Sequence, residues 1–267
     1  MIRLDLGELK RQGFLICRLR FSADLVWRLR AAVQAMVEYG QRGEIELSWI
    51  DRERGLPDRT EHMLMPDKYD DAFGAFLEEI WPDLQALLRV PVRHSLFGML
   101  TSGGGRPYTQ SWHRDLGKPA AADEDKFLRR FHNRCVQFNA PLIEGDRFLQ
   151  IVPGSHLRAS TQTEIEAARD GVGGEMPHGE TVELEPGDVV YYNPNLWHRG
   201  WNPEGALRWT LHAAYWRTAD PVMTHEQGQR DALSEEGHLD RFPQSVRQLV
   251  QGYLDSYPET PRSLQEL

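Results

Sequence analysis

The sequence predicts a mainly β fold with helices (α+β), built as a sandwich or barrel behind an N-terminal helical layer. Between residues 92 and 217, about eight short segments carry the residue alternation of β-strands. Turn signals such as Gly103-Gly104-Gly105 and Pro186-Gly187-Asp188 separate these segments. Many short strands with such punctuation are typical of sandwiches and barrels, whereas a parallel α/β sheet needs a helix between successive strands.

The N-terminal layer is predicted to begin with a strand and a helix. Residues 13–21 are rich in bulky apolar side chains, which favours a strand. In residues 23–39, apolar side chains recur at helical spacing between a potential N-cap, Ser22, and a closing glycine, Gly40. This pattern predicts an amphipathic helix that covers the β core with one face.

The other helical segments are predicted from similar spacing. Residues 41–68 are polar and interrupted by glycine and proline, which predicts mostly loop. Residues 70–89 are helical again, and Pro82 is expected to open a second helix there because proline suits a first helical turn. Short helical inserts fit residues 162–169 and 244–256.

The predicted strands of the core follow one another closely along the chain. They cover residues 92–101, 106–115, 134–142, 147–152, 181–185, 188–193, 196–201 and 206–217. The long connection 116–133 is a plausible lid, because long loops beside a site often cover it; its charges are better explained as a solvated face. No Pro/Gly/Ser-rich linker divides the chain, which predicts one domain, 1–267. That domain comprises a strand–helix layer (1–90), a β core (91–217) and a C-terminal extension (218–267).

Composition excludes several classes of protein. The chain has 267 residues, of which 40% are hydrophobic, and a net charge of −9, so a nucleic-acid partner is not expected. No apolar run reaches the ~20 residues of a membrane helix, and residues 1–8 lack the apolar core of a signal peptide. The only two cysteines, Cys17 and Cys135, cannot form a disulfide framework, which favours a cytoplasmic location.

Two His-x-Asp patterns compete as starting points for a metal site. His113 and Asp115 lie in a predicted strand, where residues two apart share a face and could offer one nitrogen and one oxygen to a metal. Iron(II) oxygenases use two histidines and one carboxylate and leave the other coordination positions open. The second match, His238-Leu239-Asp240, has no histidine after it and is expected on a solvated surface.

Candidates for the second histidine lie downstream of Asp115, and His198 has the most suggestive surroundings. It follows a strand–turn–strand segment and precedes the predicted strand 206–217. On that strand Arg208, Thr210 and His212 share one face, and a buried arginine needs a partner. A dicarboxylate ligand would provide one, and so would a structural Asp or Glu. The other downstream histidines are His132, His156, His178 and His212.

Together these residues resemble the phytanoyl-CoA dioxygenase-like branch of the iron(II)/2-oxoglutarate oxygenases. The resemblance covers about residues 8–217 and consists of several features in order. They are the Gly13-Phe14-Leu15-Ile16 strand with its helix, His113-x-Asp115, Ile151-Val152-Pro153-Gly154-Ser155-His156, Pro186-Gly187-Asp188, Trp197-His198-Arg199-Gly200, and Arg208 with Thr210. It implies a double-stranded β-helix of the jelly-roll or cupin-like kind.

The resemblance also implies a set of site residues. His113, Asp115 and His198 would hold iron(II), and Arg208, assisted by Thr210, would bind the distal carboxylate of 2-oxoglutarate. Gln137 would hydrogen-bond the co-substrate if its face of the strand lines the barrel, and would contact solvent otherwise. Tyr108, Trp112, Trp197 and Trp201 are a conceivable aromatic wall, although packing is the commoner role for such residues.

The implied activity is oxidation of a small molecule with iron(II), 2-oxoglutarate and O2, ascorbate being an optional activator. The product would be hydroxylated, while 2-oxoglutarate is decarboxylated to succinate and CO2. An intact Asp115 favours this outcome, because related halogenases have a small residue in its place. The alternatives are a cupin-type metalloenzyme that does not use 2-oxoglutarate and a non-catalytic binding domain on the same scaffold. No nucleic-acid or membrane partner is expected, and the protein would be a monomer or homodimer.

Overall fold

The computed structural model describes residues 4–171, 174–258 and 260–263. The parts of the predicted domain at 1–3, 172–173, 259 and 264–267 lie outside the described residues. The helices are α1 (Leu6–Gln12), α2 (Ala23–Arg42), α3 (Asp71–Leu88), α4 (Glu124–Phe131), α5 (Gln162–Arg169), α6 (Arg230–Leu233) and α7 (Gln244–Asp255). The strands are β1 (Phe14–Cys17), β2 (Trp49–Asp51), β3 (Leu56–Pro57), β4 (Val92–Ser102), β5 (Tyr108–Thr109), β6 (Cys135–Pro141), β7 (Asp146–Ile151), β8 (Glu180–Leu184), β9 (Val189–Tyr192), β10 (His198–Asn202) and β11 (Arg208–Arg217).

Two antiparallel sheets form the core. The larger has the strand order β1-β9-β6-β11-β4 and the smaller β5-β10-β7-β8, while β2 and β3 pair as a separate ribbon. This is the jelly-roll arrangement, and the predicted β fold with helices is confirmed. Most strand boundaries agree within two residues, but the predicted strand 106–115 is reduced to β5. The reason is that residues after Thr109 leave the sheet to form the loop that carries His113.

The helical layer covers the larger sheet with aromatic side chains. Phe73 and Phe76 on α3 contact Phe97 on β4, with ring centroids 5.9 and 6.2 Å apart. Phe76 also contacts Phe138 on β6, at 5.6 Å. Each fully buried aromatic ring contributes about 1.5–3 kcal/mol to folding. This packing therefore helps to fix β4 and β6, whose opposite faces line the central cavity.

The helix α3 is continuous, so the predicted second helix at Pro82 is wrong. Pro82 lies on the exposed side of α3 and costs one backbone hydrogen bond. The buried stripe continues past it, and the next residue, Asp83, accepts hydrogen bonds from Tyr191 Oη at 2.7 Å and Arg20 Nε at 2.9 Å. These contacts hold the segment after the proline in line with the segment before it.

Gly40 has a packing role rather than the predicted terminating role. The helix α2 begins at Ser22, whose hydroxyl accepts a hydrogen bond from Leu25 N, and it continues through Gly40 to end at Gly43 with φ +78°. A Cβ on Gly40 would lie 2.5 Å from the Leu47 side chain. The glycine therefore leaves room for the side chains of Leu47 and Trp49, which pack against the helix at this point.

The C-terminal extension packs into the core rather than standing apart. The helix α7 lies against β4 and α3. Arg93 on β4 forms a fully buried ion pair with Glu226, at 3.0 Å, and Tyr253 of α7 donates to the Glu226 carbonyl at 2.6 Å. This anchor places the adjacent His225 on the wall of the central cavity, so the extension contributes to the site. No helix within the described ranges combines the length and apolarity that a membrane crossing requires.

The expected solvated position of His238 is wrong. Its ring is buried, Nε2 bonds to the Leu64 carbonyl at 2.7 Å, and the edge of the ring faces Phe242 and Tyr69. The polar sequence around it concealed the contact with the distant residues 64–69. His238 is therefore a structural residue, and removing it is expected to reduce stability rather than to have no effect.

A buried histidine beside the C-terminal anchor makes stability dependent on pH. Burial lowers the pKa of His94 to about 3 from an ordinary value of 6.5, so the folded protein keeps the ring neutral. Below pH 6.5 the unfolded chain binds a proton that the folded chain does not, and stability falls as the pH falls. At pH 5 this amounts to about 2 kcal/mol. Urea unfolding at pH 7 and pH 5 should show this loss, and His94→Gln should show a smaller one. Equal losses in both proteins would contradict the assignment to His94.

Candidate metal centre

The two segments that carry the predicted ligands are joined through their backbones. His113 N donates to the His198 carbonyl and His198 N to the His113 carbonyl, both at 3.0 Å. Asp115 N donates to the Pro194 carbonyl, also at 3.0 Å. Although His113 lies outside the named strands, this isolated antiparallel bridge does what the predicted strand was expected to do. It brings residues far apart in sequence to one point.

The three side chains converge as the sequence predicts. His113 Nε2 lies 3.5 Å from Asp115 Oδ1, and His198 Nε2 lies 3.6 Å from the same oxygen. One ligand atom from each residue falls within 4.8 Å of the other two. Two imidazoles and one carboxylate at this spacing form the donor set of a mononuclear iron(II) site with open coordination positions.

The backbone also selects which imidazole nitrogens face the centre. His113 Nδ1 bonds to the Ser111 carbonyl at 2.8 Å, and His198 Nδ1 bonds to the Leu196 carbonyl at 2.9 Å. A carbonyl can only accept, so each Nδ1 carries the proton and each Nε2 keeps its lone pair. Histidines that hold metals are usually oriented by such a bond. The residues present therefore fit a metal ion.

The charge states of the ligands also suit a cation. Burial alone would raise the pKa of Asp115, but His198 and His113 hold it well below its usual range. Burial lowers the pKa of His198. For His113, burial is outweighed by the Asp115 carboxylate, which raises the pKa. The carboxylate is therefore ionised at neutral pH, and its negative charge faces the two imidazole Nε2 atoms, which suits a metal cation.

Gln137 on β6 lies beside the candidate metal ligands. Its Nε2 donates to Asp115 Oδ2 at 2.5 Å, which leaves Oδ1 as the oxygen directed at the two histidines. The face of β6 that carries Gln137 lines the cavity, so the solvent-facing alternative is wrong. The observed contact is with the carboxylate, and binding of the co-substrate by Gln137 stays a prediction.

We expect Gln137→Ala to weaken metal binding by about 10- to 100-fold, the usual effect of losing a partner of a metal ligand. The measurement is calorimetric titration of metal-free protein with manganese(II). Gln110→Ala is the matched control, because Gln110 lines the same cavity but bonds to the Gly200 backbone, at 2.8 Å. An equal loss in both variants would contradict the role of the Asp115 contact.

Arg208 lies on the wall of the same cavity as the triad and is buried. Its Nε donates to Thr210 Oγ1 at 3.0 Å, Thr210 in turn donates to Asp146, and Asp146 Oδ2 lies 3.7 Å from Arg208 Nε. Among the described residues, the two terminal nitrogens of Arg208 have no hydrogen-bond partner. Thr210 and Asp146 thus orient the guanidinium through its Nε. The two terminal nitrogens are left available to a ligand.

The cavity has a volume of about 350 Å³, within the usual range for small-molecule sites. Besides the triad and Arg208, its lining includes two sets of apolar and aromatic residues. Phe148, Leu149, Tyr108 and Tyr192 belong to one, and Leu96, Leu116, Cys135, Ala214 and Trp216 to the other. The second set belongs to one buried apolar cluster on β4, β6, β11 and the connection 116–133. Arg59, Glu61 and His225 also line the cavity and are solvent-exposed.

Comparison with protein-family models finds one match, phytanoyl-CoA dioxygenase (PhyH), over residues 9–202. The chain belongs to the PhyH family. Comparison with curated proteins finds no match. The predicted resemblance is confirmed, and the family match takes in the His-x-Asp segment and His198.

Solved structures share the fold of this PhyH-family chain. AviO1 from Streptomyces viridochromogenes Tue57 superposes with a TM-score of 0.61 at 21% identity, over 83% of this chain and 99% of that one. EctD from S. alaskensis with 2-oxoglutarate and 5-hydroxyectoine gives 0.60 at 15%, over 81% and 76%. The epimerase SnoN with Fe3+, alpha ketoglutarate and nogalamycin RO gives 0.57 at 15%, over 81% and 84%. Two of these neighbours hold the co-substrate that the sequence predicts here, and SnoN also holds iron.

The remaining sequence-predicted residues of this PhyH-family protein divide between the cavity and the core. His212 lines the cavity and bonds to Asn139 Oδ1 at 2.9 Å, and burial lowers its pKa to about 3. His156 is buried outside the cavity, with its ring 5.6 Å from that of His132. Of the aromatic residues, Tyr108 lines the cavity, whereas Trp112 and Trp197 have the packing role that the sequence favoured and lie in a separate core cluster. Trp201 is also absent from the cavity lining, and the Arg199 guanidinium lies over the rings of both Trp112 and Trp201.

Two residues near the site were missed or misjudged from the sequence. Asp146, which positions Thr210, looked like part of the turn Glu144-Gly145-Asp146, and no spacing rule could have linked it to Arg208. Arg114 is one of the charges for which the sequence favours a solvated face over attraction of an anionic substrate, yet its side chain is buried and faces away from His113 and Asp115. The alternation of faces around His113 was the signal that could have shown this.

Proposed function

We propose that this protein is an iron(II)- and 2-oxoglutarate-dependent oxygenase that hydroxylates an unactivated C–H bond of a small molecule. The observation that carries the proposal is that two histidines, one carboxylate and a buried arginine with a free fork line one cavity. Family membership supports the cofactors. A cupin-type enzyme that does not use 2-oxoglutarate would have no need of Arg208.

The metal would be held by His113 Nε2, Asp115 Oδ1 and His198 Nε2. When bound, iron and 2-oxoglutarate together activate O2 for attack on the C–H bond, and 2-oxoglutarate leaves as succinate and CO2. The chain's own contribution is to present three ligands from one side and to leave the other side open to the cavity. Gln137 holds the carboxylate by its second oxygen, so that a single oxygen is presented.

Arg208 would bind the distal carboxylate of 2-oxoglutarate. Its planar fork matches a carboxylate through two parallel hydrogen bonds, which a lysine cannot reproduce. Thr210 and Asp146 hold the Nε edge, so the terminal nitrogens are preorganised before the ligand arrives. The pairing with Asp146 also explains how the arginine is tolerated in a buried position without ligand.

The substrate would lie against the apolar region formed by Leu96, Leu116, Cys135, Ala214 and Trp216. This wall is mainly apolar, so it favours an aliphatic or aromatic part of the substrate beside the metal ligands. It also leaves little place for water once substrate is bound, which protects a reactive centre from side reactions. Polar parts of the substrate would extend toward Arg59, Glu61 and His225.

The intact Asp115 supports hydroxylation, since a halogenase of this kind needs the carboxylate replaced. A shared fold does not decide the outcome, because the neighbours include both an epimerase and a protein crystallised with 5-hydroxyectoine. The mass of the product does decide it. Hydroxylation adds one oxygen atom, desaturation or ring closure removes two hydrogen atoms, and epimerisation leaves the mass unchanged.

The deciding experiment measures succinate formed from 2-oxoglutarate with iron(II), with and without candidate substrates that carry an apolar moiety. We expect succinate from the wild-type protein and none above background from His198→Ala. Calorimetric titration of metal-loaded protein with 2-oxoglutarate should show binding. A protein that binds metal but neither binds nor consumes 2-oxoglutarate would instead be a metalloenzyme of another kind. Binding of 2-oxoglutarate without turnover of any substrate would favour a non-catalytic domain.

A further inference from the structure

Arg114 stands between two metal ligands in sequence but lies behind them in space. Its side chain is 1% exposed, and it points into the protein while His113 and Asp115 face the cavity. A guanidinium at this depth is costly unless its donors are satisfied and its charge is compensated. Hydrogen bonds to Nη1 and Nη2 and a carboxylate near Nε, which itself makes no hydrogen bond among the described residues, come from several different segments.

The first partners of Arg114 are backbone carbonyls. Nη1 donates to Ser155 O at 2.9 Å and to Asn195 O, while Nη2 reaches the Ser160 hydroxyl at 3.4 Å. Asn195 lies three residues before His198, on the segment that supplies the second histidine. One guanidinium therefore holds the segment of His113 and Asp115 against the segment of His198, in addition to the backbone bridge between them.

The compensating charge comes from the connection 116–133. Glu124, the first residue of α4, lies with Oε1 3.3 Å from Arg114 Nε, and its side chain is 3% exposed. The same carboxylate accepts from Ala120 N at 3.2 Å, Ser160 N at 3.0 Å and Ser160 Oγ at 2.6 Å. The N-terminal turn of α4 is thus fixed by the Glu124 carboxylate. The positive charge that pairs with this carboxylate is on Arg114, the residue between the metal ligands in sequence.

A second cavity, of about 520 Å³, lies under α4 and is lined by both Arg114 and Asp115, together with Phe127 and Lys126. A molecule in this cavity would touch α4 and the ligand segment at once. Movement of α4 would change the distance between Glu124 and Arg114, and hence the hold of Arg114 on the two ligand segments.

We propose that Arg114 is a positioning residue. Its ion pair with Glu124 couples the position of α4, in the connection 116–133, to the geometry of the three metal ligands. The proposal rests on the proposed function, since it concerns the metal site named there. Arg114 touches neither substrate nor metal and acts only through the backbones that it holds. A buried ion pair with a purely structural role would stabilise the fold without changing the affinity of the site.

The test measures cobalt(II) binding to metal-free protein by calorimetry, with the visible spectrum as a record of coordination geometry. Arg114→Gln and Glu124→Gln should each weaken cobalt(II) binding about tenfold, the lower end of the range for outer partners of a metal site. Both should also alter the spectrum. Arg114→Lys should restore only part of the affinity, because an ammonium cannot reach the separate carbonyls and Glu124 together.

Two controls separate positioning from general loosening. Arg158→Gln breaks the neighbouring Arg158–Glu164 pair, at 2.7 Å, and Arg129→Gln breaks the exposed Arg129–Asp125 pair on α4. Neither should change cobalt(II) affinity by more than about twofold, even if Arg158→Gln lowers the unfolding temperature. If Arg114→Gln fails to fold, Glu124→Gln and Arg114→Lys decide the question.

The proposal is overturned if the Arg114 and Glu124 variants bind cobalt(II) as the wild type does with an unchanged spectrum. It is equally overturned if Arg158→Gln weakens binding as much as Arg114→Gln. Failure of the proposed function has a different signature. Either the wild-type protein would bind no cobalt(II), or His198→Ala would bind cobalt(II) as tightly as the wild type does.

Discussion

Replacing His198 with alanine is expected to weaken metal binding more than 100-fold and to abolish turnover of 2-oxoglutarate. Loss of an outer partner of a metal ligand already costs about 10- to 100-fold in affinity, and this change removes a ligand itself. The fold should survive, because the backbone bonds between His198 and His113 do not involve the side chain. The measurements are manganese(II) titration of the metal-free protein and succinate formation with iron(II).

The matched control for this variant is His178→Asn. His178 is exposed and lies away from the cavity, and asparagine tolerates its φ of +59°. We expect unchanged metal affinity and activity in this control. Full activity in His198→Ala would remove the triad assignment altogether.

Replacing Arg208 with alanine is expected to raise the 2-oxoglutarate requirement by about 30-fold to several thousand-fold while metal affinity changes little. The range corresponds to about 2–5 kcal/mol, the usual loss when one partner of a buried, hydrogen-bonded charge pair is removed. Arg208→Lys should recover only part of the loss, because it keeps the charge without the fork. The apparent KM for 2-oxoglutarate and the calorimetric Kd of the metal-loaded protein measure the effect.

The truncation also leaves the Asp146 carboxylate buried without its arginine, so Arg208→Ala is expected to unfold at a lower temperature. The double variant Arg208→Ala/Asp146→Asn should recover stability but not 2-oxoglutarate affinity, which separates the two effects. An unchanged requirement for 2-oxoglutarate in Arg208→Ala would show that this arginine has only a structural role.

Local pattern was sufficient for most of the fold. Residues 162–169 are helical as predicted, because a capping box at Thr161 and Glu164 defines the start of α5. The strand 206–217 is nearly right, because ten consecutive residues alternate between the cavity and the helical layer. These signals are local, so no knowledge of the tertiary contacts was needed to find them.

The errors arose where distant contacts override local preference. Pro82 does not break α3, because Asp83 is held by residues far away in sequence. His238 is buried by contacts with Leu64 and Tyr69, which a polar neighbourhood could not reveal.

The candidate site shows the same division. The spacing of His113 and Asp115 predicted two candidate ligands, the family pattern singled out His198, and the structure brings the three side chains together. By contrast, the contact of Gln137 with Asp115 depends on the registration of β6 against β11, which only the structure shows. The alternation of faces around His113 could have shown the opposite orientation of Arg114, but its contacts with Glu124, Ser155 and Asn195 are seen only in the structure.

The reciprocal amide bonds between residues 113 and 198 have a consequence for how the protein acquires its metal. Main-chain hydrogen bonds set the spacing of the imidazoles. The entropic cost of bringing the ligands together therefore arises during folding and not during metal binding. Unlike a zinc finger, whose unbound chain is unstructured, this polypeptide should reach its native form with the ion absent. Iron lost to a chelator should therefore be replaceable by simple readdition, without a cycle of denaturation and renaturation.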